Sequence, residues 1–532
     1  MPLNSRNDQI SLISSESLPQ AAQIVVAEGK TSYHQILKSS VLVGGSSAMN
    51  IVVKMINTKA MALLLGPGGF GLFGLYGSIG NLSQSIAGMG VNSSGVRQIA
   101  HAVGSGDSEK VARTATVLRI TSIFFGVLGS LLLITFCRQV SAFTFGNDQH
   151  AAAISLLSIS VFFQLVSNGQ AALIQGMRRV LDLAKIGILG GLLGTPVGII
   201  AVYFLREKGV VPSMIIAALM SLIISWWYSR KMHIRTASIT VSQLAQEAGA
   251  LLSLGLVFMT TGFMTMGVAY GVRIIVLRKF GFASMGCYQS AWTLGALYAG
   301  FILGAMAVDF YPRLTASAHD NNECNRLVNE QARIGLLLAG PGVIATLTIA
   351  PVIIELFYSS KFGAAVDVLR WICLGTVLQV VTWPLSFIIV AKGRRAIFFG
   401  TELAWTVASL ALAWMCMKFF GLNGAGIAFF GSYAFYGLLL YPVVHQLSGF
   451  RWSSTNRLIG LLFLSLITIV FCGFYLLPHL AAACIGSVAA LLSGGYSIRV
   501  LIKLITWEQI PLPLQRLFFA FRLGRSDYNG VA

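Results

Sequence analysis

The sequence predicts an all-α polytopic membrane protein of about fourteen transmembrane helices, built as two pseudo-symmetric lobes of six helices with two helices appended at the C-terminal end. Three observations support this prediction. Hydrophobic residues make up 56% of the 532 residues and charged residues only 10%, whereas charged residues form about 25% of a typical soluble domain. Apolar runs of roughly the 20 residues that cross a bilayer recur along the chain. Related sequence features also return at a nearly constant separation, which indicates an internal repeat.

The fourteen predicted spans follow one another between short connections. Their approximate limits are 41–65, 75–98, 116–137, 151–176, 182–205, 211–229, 252–277, 287–311, 334–357, 368–391, 397–420, 424–447, 458–478 and 480–502. The first 38 residues are polar and lack the basic-then-apolar pattern of a secretory signal. They are predicted to form a cytoplasmic tail, partly disordered, and residues 506–532 a second cytoplasmic tail.

The internal repeat relates positions 212 to 216 residues apart. The paired features are Tyr76 with Tyr288, Arg119 with Arg333, Phe143 with Phe357, and the basic turn 176–179 with the basic turn 392–395. Because each copy contains six spans, an even number, both copies have the same orientation and are related by an axis along the membrane normal. The predicted domains are tail 1–38, N-lobe 39–232, cytoplasmic linker 233–249, C-lobe 250–449, appended spans 450–505 and tail 506–532.

The basic residues predict which side of the membrane each connection occupies, since loops rich in Lys and Arg stay in the cytoplasm. With sides alternating along the chain, 26 basic residues fall on one side and 8 on the other. Both termini and the turn at Arg178 and Arg179 are therefore predicted to be cytoplasmic, and Lys361 to face outward. This topology accounts for most of the formal net charge of +19, so anionic lipid headgroups rather than nucleic acid are the expected counterpart.

Several motifs that would indicate an enzyme fail on their context. The run GFGLFG at 69–74 matches GxGxxG but lies between two membrane spans with no preceding strand, so it is predicted to be a turn that lets two helices approach closely. The seven cysteines form no CxxC pair, and the seven histidines form no HExxH motif. With no paired carboxylates, serine triad or phosphate-binding loop, we expect no enzymatic activity, cofactor or metal site.

Polar and charged residues inside the spans identify the candidate site, because such residues usually face a protein interior or an aqueous cavity. On the first span Asn50, Lys54 and Asn57 share one helix face with Ser46. The candidate substrate-binding residues are Lys54, Lys59, Arg273, Asn50, Asn57, Asn81 and Arg97. Acids are fewer, and Asp309 and Glu402 are the candidate ion-coupling groups. A cavity lined in this way favours an anion.

Each of these residues also has a purely structural interpretation. Lys59 and Arg273 can extend to the outer headgroups, and Arg97 can act only as a topology anchor. The asparagines can form hydrogen bonds between helices, and Glu402 can be the structural partner of a buried cation. Lys54 is the deepest cation and the hardest to explain in this way.

Four segments together resemble the Wzx-type polysaccharide flippases. These segments are LGPGGFGLFGLY at 65–76 after a lysine-bearing first span, VAYGVRIIVLRKFGFASMGCYQSAW at 268–292, DFYPRLTASA at 309–318 and AKGRRAIFF at 391–399. The family includes O-antigen translocases and lipid III flippases and belongs to the multidrug/oligosaccharidyl-lipid/polysaccharide exporter superfamily. The resemblance covers roughly residues 38–447, so the N-terminal tail and the last two spans are departures from the pattern.

The resemblance implies a V-shaped pair of six-helix lobes that work by alternating access. It implies a polyprenyl-pyrophosphate-linked oligosaccharide, such as an O-antigen, exopolysaccharide or capsule repeat unit, moved between the leaflets of a bacterial inner membrane. In this interpretation Lys54, with Lys59 and Arg273, holds the pyrophosphate in a cavity between the lobes. Membrane lipids, a polysaccharide polymerase and other glycan-assembly proteins are the expected partners.

Three alternatives stay open at this stage. A cation-coupled multidrug exporter of the same superfamily needs acids deep in the lobes, and here the deepest charge is basic. A lipid II flippase shares fourteen spans and a cationic cavity and is the closer rival. A scaffold in a glycan-assembly complex, without transport, is the third.

The orientation is tested by single cysteines placed at positions 178 and 361 in a cysteine-free background. A membrane-impermeant maleimide added to intact cells should label position 361, whereas position 178 should be labelled only after the membrane is permeabilised. Labelling of position 361 only from the cytoplasmic side would reverse the predicted topology.

Overall fold

The computed structural model describes residues 20–232, 234 and 240–504. Side chains are described from residue 49 onward, apart from scattered helical positions such as 256–258 and 304–309. Every regular element in the described part is helical, which confirms the predicted fold class. The α-helices are α1 Gln20–Ala87, α2 Val91–Gly104, α3 Ser108–Thr135, α4 Cys137–Phe145, α5 Ala151–Gly176, α6 Val180–Leu205, α7 Val210–Arg230, α8 Val241–Ala316, α9 Asn321–Phe357, α10 Ala365–Ala391, α11 Arg395–Phe420, α12 Asn423–Ser448, α13 Ser454–Leu476 and α14 His479–Leu504.

Ten helical segments among the described residues are long and apolar enough to cross a membrane. One of them, Leu181–Arg230, contains two predicted spans. The predicted spans 252–277 and 287–311 both lie within α8, which is not among these ten segments. The count of fourteen spans stays a prediction. The span limits agree closely in the middle of the chain, where the prediction of 151–176 coincides with α5.

Two long helices are each divided by a single glycine in the left-handed backbone region. Gly66 has a φ of 67° within α1, and Gly281 has a φ of 78° within α8. A residue with a side chain adopts such an angle only at a cost, whereas glycine has no Cβ to clash. We call the resulting parts α1a (20–65), α1b (67–87), α8a (241–280) and α8b (282–316), and the end of the molecule with both breaks the corner end.

The internal repeat is visible in the backbone itself. Positive φ angles occur at three pairs of positions that are 215 residues apart: Gly66 with Gly281, Arg178 with Gly393, and Arg206 with Gly421. The helices α3 and α9 also begin alike, because Asp107 and Asp320 each accept hydrogen bonds from backbone N–H groups of the first turn. The two copies therefore share local structure as well as sequence pattern.

The two copies meet through glycines at the corner end. A Cβ built on Gly286 would lie 1.8 Å from the carbonyl oxygen of Pro67, and one on Gly71 would lie 2.6 Å from that of Phe282. The prediction of a close helix approach is thus confirmed, but the prediction of a turn over 69–74 is wrong. These residues are helical, because the reversal is completed at one glycine and Pro67 can occupy the first position of the next helix.

One further predicted span is wrong, and helices extend into two segments that were predicted to lie outside the spans. The predicted span 75–98 is interrupted after Ala87, since Met89 and Gly90 both have positive φ, and α2 continues as a separate helix. The predicted tail 1–38 overlaps α1, which begins at Gln20. The predicted linker 233–249 overlaps α8, whose start is fixed by a capping box between Thr240 and Gln243. The C-terminal tail 506–532 lies outside the described residues.

The helices α13 and α14 pack against α9 on the outside of the second copy. The ring of Phe463 lies against Gly340, where a Cβ would be 2.4 Å from the ring, and Thr348 lies against Gly486 in the same way. The guanidinium of Arg370, which is paired with Asp367 at 3.1 Å, lies 4.1 Å from the ring of Phe474. These contacts fit the prediction that the two helices are additions to the repeat.

The corner contact predicts a sharp difference between two glycines of α8. Gly286→Ala should lower the stability of the purified protein by about 1 to 3 kcal/mol, because the added methyl group meets backbone that cannot move aside as a side chain can. Gly267→Ala is the matched control, since nothing lies within 4 Å of its built Cβ. The measurement is the apparent Tm in detergent, followed by tryptophan fluorescence. An unchanged Tm for Gly286→Ala would contradict the close approach.

Candidate functional site

One described cavity, which we call the large cavity, has a volume of about 610 Å³. It lies between α1b, both parts of α8 and the helices α10 to α12. Aromatic and small residues dominate its wall, with a few polar groups among them, as is typical of ligand cavities. The residues that define its chemistry are Ser78, Asn81, Arg273, Tyr288, Trp292, Gln379, Trp405, Ser409, Phe429, Ser432 and Tyr433.

Arg273 is the one charged residue among the described residues that line this cavity. The residue is only 6% exposed. Its Nε donates to Oε1 of Gln289 at 2.9 Å, and one terminal nitrogen donates to the Ala269 carbonyl at 2.7 Å. The rings of Trp292 and Tyr288 lie 5.6 Å and 6.0 Å from the guanidinium carbon. Because a guanidinium has five N–H donors, further donors are available to a ligand.

No carboxylate forms an ion pair with Arg273 in the described part of the chain. A buried charge without a counter-ion is costly. Inside a membrane protein such a charge usually belongs to a substrate or ion pathway. The arrangement is therefore suited to an anion that enters the cavity.

The position of Arg273 depends on the first copy of the repeat. Gln289 fits where it does because Gly74 of α1b has no side chain, and a Cβ there would lie 2.5 Å from Oε1 of Gln289. The amide nitrogen of Gln289 then donates to Oγ1 of Thr293 at 3.1 Å. A chain of hydrogen bonds thus runs from Arg273 through Gln289 to Thr293.

A smaller cavity of about 160 Å³ lies on the other side of α8b. Lys54, Asn57 and Thr58 of α1a line it, together with Thr293 and Tyr358. The sequence predicted that Lys54 and Arg273 share one cavity, and the structure instead places them in separate cavities. The described side chain of Lys54 is exposed.

The two cavities are related by the repeat. At the 215-residue spacing Thr58 of the small cavity corresponds to Arg273 of the large one, and Thr293 of the small cavity corresponds to Ser78 of the large one. Each cavity is therefore formed by the first helix of one copy and the second helix of the other. The two copies place their cations at different positions. Lys54 lies about one helical turn before Thr58, which is the residue equivalent to Arg273.

Lys59 does not line either cavity. Its Nζ donates to the carbonyl of Leu356 in the last turn of α9, where carbonyl groups lack partners within the helix. At the equivalent place in the other copy, Arg278 donates to the carbonyls of Ala142, at 2.9 Å, and of Phe143 in α4. A cation from the first helix of each copy thus holds the other copy at the corner end.

The remaining predicted binding residues are dispersed. Asn81 lines the large cavity, and Asn57 the small one. The amide of Asn50 lies against Gly187 of α6, where a Cβ would be 2.9 Å away. Arg97 is exposed on α2 and does not line the two cavities.

Of the two predicted ion-coupling acids, Glu402 is described and the side chain of Asp309 lies outside the described residues. Oε1 of Glu402 accepts a hydrogen bond from the Tyr436 hydroxyl at 2.5 Å. No cation of the described residues forms an ion pair with Glu402. Glu402 lies behind the cavity wall and close to Tyr433, rather than on its surface.

The sequence does not predict several residues that line the large cavity or contact Arg273. Gln289 and Trp292 lie in the segment 268–292 that carries the family resemblance, but nothing in their spacing shows that they surround Arg273. Trp405 and Tyr433 come from α11 and α12, and aromatic residues in an apolar span look the same whether they face lipid or a cavity. Only the packing of α8 against α10 to α12 distinguishes the two cases.

Comparison with solved structures identifies the class of fold. The solved lipid II flippase MurJ in an inward closed conformation superposes with a TM-score of 0.67 at 14% sequence identity, over 87% of this chain and 100% of that one. An inward-facing MATE family transporter of the MOP superfamily superposes with a TM-score of 0.64 at 17% identity, over 76% and 98%. The chain therefore shares its fold with these two membrane proteins.

Sequence comparison identifies the family of the chain. Residues 60–367 match the profile of a family described as polysaccharide biosynthesis protein, and this chain belongs to that family. The lipid III flippase of Escherichia coli (strain K12) is 21% identical over 407 residues, which are 75% of this chain and 96% of that protein. The lipid III flippase of Shigella flexneri matches to the same extent.

Proposed function

We propose that this protein is a flippase that moves a polyprenyl-pyrophosphate-linked oligosaccharide from the cytoplasmic to the periplasmic leaflet of a bacterial inner membrane by alternating access. Membership of a polysaccharide biosynthesis family supports the substrate class. The relatives named as lipid III flippases support the transport step. The observation that carries the proposal is the buried Arg273 in the wall of the large cavity, which has no carboxylate partner among the described residues.

The chemistry of the cavity fits the two parts of such a substrate. The pyrophosphate carries negative charge, and Arg273 offers planar paired donors that match phosphate oxygens. Asn81, Ser78 and Gln379 offer hydrogen bonds to sugar hydroxyls, and the aromatic rings offer apolar faces with polar edges. The polyprenyl chain, which has no polar group, stays in the lipid.

The same cavity argues against the drug and cation exporter. No acidic residue is among the described residues that line it, and a cationic drug next to Arg273 would be repelled. In the proposed cycle Glu402 and Asp309 keep the role of candidate ion-coupling groups, and Lys54 that of a second cation in the small cavity.

The alternative function, a lipid II flippase, differs from the proposed one only in the glycan of its substrate. The structural likeness to MurJ at 14% identity reflects the fold and does not favour that substrate. Deletion of the gene distinguishes the two. Loss of surface polysaccharide with continued growth supports the proposal, and loss of viability with accumulation of the cell-wall precursor supports the rival.

The contacts at the corner end are the ones that would open and close during alternating access. Phe70 of α1b contacts Tyr358 and Phe362 edge to face, with ring centroids 5.4 Å and 5.9 Å apart. The bonds of Lys59 and Arg278 to helix ends lie at the same end of the molecule. Release toward that end, which the basic residues predict to be periplasmic, requires these contacts to separate.

Arg273→Gln should lower export by roughly 10- to 100-fold, because a charge-assisted hydrogen bond to phosphate contributes about 1.5 to 3 kcal/mol. Arg273→Lys should keep part of the activity, since the charge survives without the planar fork. The measurement is surface polysaccharide against lipid-linked oligosaccharide accumulated on the cytoplasmic face, with protein abundance in the membrane determined for each variant.

The matched control is Lys418→Gln, because Lys418 is an exposed cation of the same copy that lines no described cavity. It should export like the wild type. Wild-type export by a normally abundant Arg273→Gln variant would remove the basis of the proposed function.

A further inference from the structure

A third cavity of about 370 Å³ lies within the first copy, between α3, α5 and α7. It shares no lining residue with the two cavities beside α8b. It lies near the end of α7 at Arg230, opposite to the corner end, where the basic residues predict the cytoplasm. Its lining residues are Arg119, Ser122, Ile123, Val166, Gly169, Gln170, Trp226, Ser229 and Arg230.

Two arginines give this cavity its charge. Arg119 donates to Oγ of Ser229 at 3.3 Å, and the guanidinium carbon of Arg230 lies 5.4 Å from the ring of Trp226. Neither arginine forms an ion pair with a carboxylate of the described residues. Positions 233 and 235–239, which follow α7 in the sequence and are not described, contain no acidic residue.

The arginine two turns earlier on α3 shows the contrast. Arg113 is paired with Glu109 at 3.0 Å and lies 3.8 Å from Glu247. Among the described residues, acids therefore pair with the arginine outside the cavity and with neither arginine inside it. The uncompensated charge is a property of the cavity rather than of this end of the protein.

The floor of the cavity adds neutral donors. The hydroxyl of Ser122 is buried without any hydrogen-bond partner, and it lies against Gly169, where a Cβ would be 2.1 Å from it. Oε1 of Gln170 accepts from the Ser225 hydroxyl at 2.6 Å, so the acceptor of that amide is occupied and its NH₂ group is left to donate. Guanidinium, hydroxyl and amide donors together match the oxygens of a phosphate.

The mouth of the cavity is apolar and exposed. Ile123 is 47% and Trp226 is 51% exposed, and both line the opening. The exposed side chains continue along the same faces with Val127 of α3 and Ile223 of α7. Such surfaces contact acyl chains in a membrane, and tryptophan is favoured at the headgroup level. A ligand seated here therefore has a polar end inside the cavity and an apolar end in the bilayer.

We propose that this cavity binds the phosphate headgroup of a membrane lipid, whose chains lie along the exposed faces of α3 and α7. The inference does not depend on the transported substrate. It concerns a site in one copy of the repeat, apart from the cavities beside α8b.

The test is native mass spectrometry of the full-length protein in neutral detergent with added phosphatidate. The double variant Arg119→Gln/Arg230→Gln should hold one phosphatidate fewer than the wild type. Its apparent affinity at this site should be weaker by about tenfold or more, because charge-assisted hydrogen bonds are removed. Ser122→Ala should weaken binding less, because it removes one neutral donor. Arg113→Gln is the matched control and should bind like the wild type.

Two results overturn the proposal. Equal retention of phosphatidate by the double variant and the wild type would show that the arginines do not hold the phosphate. Equal binding of phosphatidylcholine, or displacement of phosphatidate by millimolar inorganic phosphate, would show an apolar surface or a soluble-anion site instead. A thermal melt of each variant confirms that the compared proteins are folded.

Discussion

The structure depends on one close contact, the approach of the α8b backbone at Gly286 to the carbonyl of Pro67. Only glycine permits this distance, since any Cβ would overlap the opposite chain. The contact places α1b alongside α8b, so that Gly74 leaves room for Gln289. Gln289 in turn accepts the hydrogen bond that holds Arg273 at the wall of the large cavity. The glycine-rich segment after the first span thus helps to position Arg273 in the candidate site.

The repeat builds two cavities of the same design and gives them different chemistry. Each is formed by the first helix of one copy and the second helix of the other, yet the large one has Arg273 and the small one has Lys54. The large cavity also has aromatic residues of α11 and α12 in its wall. A symmetric fold with an asymmetric site is suited to a substrate that has one charged group and an extended polar part.

Much of the fold could be predicted from sequence because membrane spans obey a simple rule of length and polarity. The repeat and the breaks at both glycine-rich corners follow from pattern as well. The site was predicted only in part. Helix periodicity places Lys54 and Asn57 on one face, but it does not say which neighbour that face meets. Lys59 and Asn50 were assigned to a cavity and instead contact α9 and α6, since the crossing of helices depends on glycines whose partners lie more than 200 residues away.

The central claim is that the anionic head of the substrate is held at Arg273. Electron cryomicroscopy of the protein with a polyprenyl pyrophosphate bound tests it directly. The account predicts pyrophosphate density in the large cavity, within hydrogen-bond distance of the Arg273 guanidinium and next to Trp292. Density for the pyrophosphate beside Lys54 in the small cavity, with the large cavity free of ligand, would contradict it.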